Sequence, residues 1–258
     1  MVINRDDGKR FICTDRIDAI NKILWNSRYR RVNPQGLFLL YSVKPIEEIE
    51  HPFLISSHID CEEDITKCFT SYESDMMLKG TYDNGVTNAA ILYLMLNNKL
   101  PDNVIVAFTG DEEVDSTGAK QVSRFLRKKG KLTFTVLVLD VTDMGWKEKA
   151  DFTIENNFWS ELLGESLIES LKEIKGKWLF VPSDLQNIPS YVASDNIIYS
   201  EAEADESWDY DEEKLKCFSL CLPVYGEMHS DEGVLLRLCA LNTYVAALDS
   251  IINTISCM

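Results

Sequence analysis

The stretch "VIVAFTGDEEVDSTGAKQ", Val104 to Gln121, decides the fold. Strand formers run without polar interruption into a Thr109-Gly110 turn, and a helical pattern begins near Thr117. An apolar run without alternation is a strand buried on both faces, as in a parallel sheet covered by helices. Between strand and helix stand three consecutive carboxylates, Asp111, Glu112 and Glu113. Adjacent acids point in different directions and can do two different jobs.

The same alternation extends outward in both directions. Helices are expected over 14–25, 84–100 and 117–130, near 159–174, and from about 231 to 254. Strands are expected over 36–43, 52–57, 103–109 and 132–140, and near 215–222. Strands alternating with helices of this length predict an α/β fold with a mostly parallel sheet covered on both faces. No repeat and no Pro/Gly/Ser linker interrupts residues 1–258, which predicts a single catalytic domain.

Composition narrows the function. The chain carries a net charge of −16, which opposes nucleic-acid binding because no basic stripe faces phosphates. No stretch approaches 18 consecutive apolar residues, so no membrane span is expected. The start, "MVINRDDGKRF", lacks an apolar leader pattern. Seven scattered cysteines (13, 61, 68, 217, 221, 239, 257) include no CxxC pair, which predicts reduced thiols and a cytoplasmic setting. Segment 201–213, "EAEADESWDYDEE", holds eight carboxylates in 13 residues. It reads either as a solvated acidic loop or as a rim steering cations and amines.

In open α/β sheets, ligands sit beyond the carboxyl ends of the strands. His58 and Asp60 follow one strand, Glu112 and Glu113 another, and Asp140 ends a third. His229 follows the last strand, and Asp83 opens an apolar helix in "GTYDNG". Each alone has a bland explanation: a packed histidine, a helix cap, a solvated acid pair. Jointly, imidazole with carboxylate suits zinc, cobalt or manganese. His-x-Asp lets the carboxylate hold the second ring nitrogen. Asp83 at a helix start can bridge two cations about 3.5–4 Å apart. Glu113 is then a ligand and Glu112 the general base. His51 matches no such pattern.

The words "SSHID" (56–60), "GTYDNGVTNAA" (80–90), "DEEVDSTGA" (111–119), "VLVLDVTD" (136–143) and "LCLPVYGEMHSDEGV" (220–234) stand in this order. The series resembles the zinc exopeptidases of clan MH. Its local words are closest to metallopeptidase family forty-two, the glutamyl and deblocking aminopeptidases. The resemblance implies a three-layer α/β/α sandwich with a central mixed, mostly parallel sheet. It also implies two divalent ions, zinc foremost with cobalt or manganese as alternatives. Asp83 would bridge them, with His58 and Asp140 completing one site and Glu113 and His229 the other. Glu112 would be the acid/base residue, and Asp60 would orient His58. Family forty-two inserts a second domain between the first two words; here only 22 residues separate Asp60 from Asp83. The layout is therefore similar to the single-domain aminopeptidases of family twenty-eight, and the oligomeric state stays open. The expected activity is aminopeptidase action on peptides. A deacylase of small N-acyl amino acids or amides, a cyclase, and a non-catalytic metal-binding homologue are the alternatives.

Overall fold

The computed structural model describes residues 2–4, 10–12, 14–33, 35–62, 65, 68–156, 164–182, 188, 192–198 and 206–256. Two short strands, β1 (Val2–Asn4) and β2 (Arg10–Ile12), pair ahead of helix α1 (Thr14–Leu24). Strands β3 (Arg30–Arg31), β4 (Phe38–Ser42) and β5 (Phe53–His58) follow. A hairpin of β6 (Thr70–Ser74) and β7 (Met77–Gly80) leads into α2 (Gly85–Leu96). Next come β8 (Val104–Thr109), the single turn α3 (Glu112–Asp115), and α4 (Thr117–Lys128). The remainder runs β9 (Thr135–Thr142), β10 (Phe152–Asn156), α5 (Glu165–Lys172), β11 (Trp178–Pro182), α6 (Glu206–Glu212), β12 (Lys216–Pro223), β13 (Val234–Arg237) and α7 (Leu238–Ile255).

Eight strands form one mixed sheet in the order β11-β10-β12-β9-β5-β8-β4-β3. Its centre, β12-β9-β5-β8, is parallel throughout. Alternate residues of the central strands enter two separate cores. Phe53 and Ile55 of β5, with Val104, Val106 and Phe108 of β8, face the layer of α1, α2, α5 and α7. Leu54, Ile105 and Ala107 face the layer of α4 and α6. A period of two with both faces apolar explains why these strands read as unbroken hydrophobic runs. Each of the larger side chains among these, fully buried, contributes roughly 1.5–3 kcal/mol. The α/β fold and its helix-covered, mostly parallel central sheet are as the sequence predicts.

Two expectations, the start of the last helix and the acidic segment, need correction. The last helix begins at Leu238, not near 231, because Val234–Arg237 pairs antiparallel with β7 as the third strand of a small sheet. A short apolar run such as Val-Leu-Leu fits strand and helix alike until its partner is known. The hairpin β6–β7 and the strands β10 and β11 were not anticipated from the sequence. Of the helix expected near 159–174, Glu165–Lys172 is helical, and 157–163 lie outside the described residues. Of the acidic segment, 201–205 lie outside the described residues, whereas 206–212 form α6 and bury Glu206, Ser207 and Tyr210. That half is a helix rather than a solvated loop.

No spanning helix was expected, yet α7, with mean hydropathy 1.3 over 18 residues, is long and apolar enough by length and composition. It lays Ala240, Tyr244, Ala247, Leu248 and Ile251 in the core, packed against β10, β12 and α5.

Candidate active site

Backbone register brings the strand ends level. His58 of β5 lies opposite Thr109 of β8, and Ser56 lies opposite Val138 of β9, so Asp140 stands at the height of His58. His58 Nε2 is 2.9 Å from Asp83 Oδ1 and 3.5 Å from Asp140 Oδ1. The other oxygen of Asp83, Oδ2, is 3.3 Å from His229 Nε2, which is 3.5 Å from Glu113 Oε2. His58 Nδ1 faces Asp60 Oδ1 at 3.4 Å, and Asp60 Oδ2 accepts the Glu113 backbone N–H at 3.2 Å. Glu112 offers a carboxylate oxygen to the same cluster, within 4.8 Å of His58 and Glu113. All seven residues singled out in the sequence therefore converge, whereas His51 is exposed just ahead of β5, at the far end of that strand.

Local chemistry holds each group. The turn Glu112–Asp115 is bracketed by Asp111 and Ser116, both left-handed at φ 70 and 52. Two such residues reverse the chain sharply and aim the acid pair back over the sheet. A Cβ on Gly118 would lie 2.4 Å from the Gly110 carbonyl oxygen, so only glycine lets α4 start against the end of β8. Asp83 precedes α2, whose first turns carry buried Asn84, Thr87 and Asn88. Asn84 Nδ2 donates to the Leu139 carbonyl at 2.6 Å, and Asn88 Nδ2 donates to the His58 carbonyl at 2.7 Å. The helix start is thereby tied to the ends of both β9 and β5.

The sequence profile described as Peptidase family M28 matches residues 40–214. The chain belongs to peptidase family M28. Among curated protein sequences, none matches significantly. Solved structures share the fold at low identity. The TET aminopeptidase of the marine sediment archaeon Thaumarchaeota archaeon SCGC AB-539-E09 superposes with TM-score 0.68 at 11% identity, covering 92% of this chain and 90% of that one. The Pyrococcus horikoshii TET1 peptidase, which can assemble into a tetrahedron or a large octahedral shell, gives 0.59 at 14%, covering 91% and 92%. BSAP, a zinc aminopeptidase from Bacillus subtilis, gives 0.55 at 13%, covering 83% of this chain and 48% of that one. This M28 peptidase is a metal-dependent peptide hydrolase.

The residues present fit a metal. Glu113 Oε1 is buried and has no hydrogen-bond partner among the described residues. Ligands held at 2.0–2.2 Å around a tetrahedral ion lie about 3.4 Å from one another. The pairs His58–Asp140, His229–Asp83 and His229–Glu113, at 3.5, 3.3 and 3.5 Å, have that spacing.

Electrostatics agree. Burial pushes Glu112 well above the usual carboxylate range, and burial with the Asp83 charge pushes Glu113 up to about 8. His229, hydrogen-bonded to Asp83, is pushed up to about 9. Burial disfavours a charged His58, yet Asp140 and Glu112 outweigh it and hold the ring well above the imidazole range. The M28 cluster thus holds protons that a dication displaces on binding.

Sequence reasoning missed three groups. Glu62 offers a carboxylate within 4.8 Å of Glu113 and His229. Asn84, Thr87 and Asn88 were signalled by their i, i+3, i+4 spacing on an otherwise apolar helix. Glu206 is buried under the sheet and accepts a hydrogen bond from Ser56 Oγ at 2.6 Å. Nothing in a run of eight acids singles out that one.

Proposed function

We propose that this M28 peptidase is an aminopeptidase that holds two divalent ions, zinc foremost, and removes N-terminal residues from peptides. The observation that carries the reading is Asp83, whose two carboxylate oxygens face His58 on one side and His229 on the other. His58, Asp83 and Asp140 would hold one ion, and Asp83, Glu113 and His229 the second. When bound, such ions polarise a carbonyl and make a water acidic enough to attack at neutral pH.

The chain's own residues do the rest. Glu112 takes the proton from the attacking water and delivers it to the leaving amine nitrogen. Its raised proton affinity suits that double duty. Asp60 holds Nδ1 of His58, leaving Nε2 turned toward Asp83 and Asp140. Half-exposed His229 and partly exposed Glu62 stand on the open side, where an acidic mouth favours a free ammonium over a blocked terminus.

The test is mass spectrometry of a peptide pool, half with free and half with acetylated N-termini, after incubation with the zinc-, cobalt- or manganese-loaded protein. Stepwise loss from the free peptides alone is expected. Release of acetyl groups would replace the aminopeptidase by a deacylase, and an unchanged pool would refute both.

A further inference from the structure

Arg16, in the first turn of α1, lies outside residues 40–214 matched by the family profile, yet its side chain ends beneath the metal cluster. Its Nη1 donates to the carbonyl oxygens of Asp60 at 2.9 Å and Ile59 at 3.3 Å. Its Nη2 donates to the carbonyl oxygen of Asp83 at 2.9 Å and to Cys68 Sγ at 3.8 Å. One planar fork therefore spans the segment after β5, which carries His58 and Asp60, and the segment before α2, which carries Asp83. The same two segments also meet at the side chains, where His58 Nε2 is 2.9 Å from Asp83 Oδ1, but Arg16 ties their backbones. The placement has a cost. A Cβ on Gly85, the first residue of α2, would lie 3.9 Å from Nη2, and a helix N-terminus disfavours a positive charge. The three carbonyls have to offset that repulsion.

We infer that Arg16 is a positioning residue for the metal cluster: it fixes the distance between the His58–Asp60 segment and the bridging Asp83 by clamping the backbone of both. The inference rests on the metal reading of Asp83 given above. Asp60 passes the effect on, since its carboxylate touches His58 on one side and the Glu113 N–H on the other. A lysine keeps the charge but not the fork, so it cannot hold both segments in one geometry.

The test uses the full chain and cobalt(II) as probe, with Arg16→Lys, Arg16→Gln and Arg16→Ala. Cobalt affinity is read by competition with a chelator, cobalt geometry by visible absorption, and folding by the thermal midpoint of the metal-free protein. Outer partners of metal ligands are worth about 10–100-fold in affinity. A loss of that size is expected in Arg16→Lys and Arg16→Gln, with a changed cobalt spectrum and metal-free midpoints near that of the wild type. Guanidinium ion added to Arg16→Ala is expected to restore the wild-type spectrum. Variants with wild-type cobalt affinity and spectrum, whatever their thermal midpoint, would overturn the inference and leave the aminopeptidase reading intact. Wild-type protein that takes up no cobalt would overturn both.

Discussion

The two halves of the cluster are built differently. On the His58 side, His58 is 2% exposed and Asp140 14%. Its backbone is clamped by Asn88, and its ring is faced by Asp60. On the other side, His229 is 49% exposed, on the loop between β12 and β13, although its partner Glu113 is only 5% exposed. Asp83 belongs to both. A buried, multiply tied half holds an ion tightly and exchanges it slowly. A half with one exposed ligand exchanges faster and faces the substrate. On the two-ion proposal, the first half would retain metal and the second would meet the substrate.

The largest effect should come from the group standing between the halves. Glu112→Gln is expected to lower the peptidase rate by about 10²–10⁴-fold, the usual worth of general acid–base catalysis. Metal content should not change, so rate and mass-spectrometric metal analysis together separate proton transfer from ion holding. A variant as active as the wild type would remove Glu112 from the chemistry.

Next come the two histidines. His229→Ala is expected to retain one tightly held ion per chain after gel filtration. His58→Ala is expected to retain none and to unfold at lower temperature, because it leaves Asp60, Asp83 and Asp140 as buried carboxylates facing one another. Equal losses in the two variants would break the comparison.

Glu206 lies behind the deep half, bonded to Ser56 two residues before His58. Burial raises its carboxyl from 4.5 to about 7 against the hydrogen bonds from Ser56 and Thr109. In the unfolded chain the group ionises from about 4.5; in the fold it stays protonated until about 7. Its contribution to stability is therefore full below the lower value and falls as pH rises to about 7. Above that the loss is constant, on the order of 3 kcal/mol. Glu206→Gln should flatten this slope in denaturant unfolding of the metal-free protein at pH 5 and pH 7.5. An unchanged slope would rule out Glu206 as its source.

The smallest effect is expected from Asn88→Ala, which leaves the buried His58 carbonyl without that donor. It should cost about 1–2 kcal/mol of metal-free stability. Metal release by chelator should quicken at the deep half only.

What the sequence made legible was the sheet and what stands on its strand ends. Strands buried on both faces cannot hide, and β5, β8 and β9 emerge as apolar runs that stop at His58, Gly110 and Asp140. The polar residues that brace the site were harder to see. Arg16 on a short helix looks like a solvated charge until the carbonyls of residues 59, 60 and 83 are brought to it. Glu206 differs from its acidic neighbours only because α6 turns it inward against Ser56. Val234–Arg237 looked helical because its partner, β7, lies far back in the chain. In each case a long-range contact decided what local pattern could not.

Parallel register has a consequence for how this protein matures. The groups around Asp83 stand level only when β5, β8 and β9 are paired residue for residue, His58 against Thr109 and Ser56 against Val138. A slip of one residue in β5 would swing His58 through the sheet into the other core. No short piece of the chain brings together positions 58, 83, 113, 140 and 229, so the full ligand set is present only once residue 229 has been made. Such distant parallel pairings form late. On the proposed metal reading, uptake of both ions would thus report that the central strands have found one another in register.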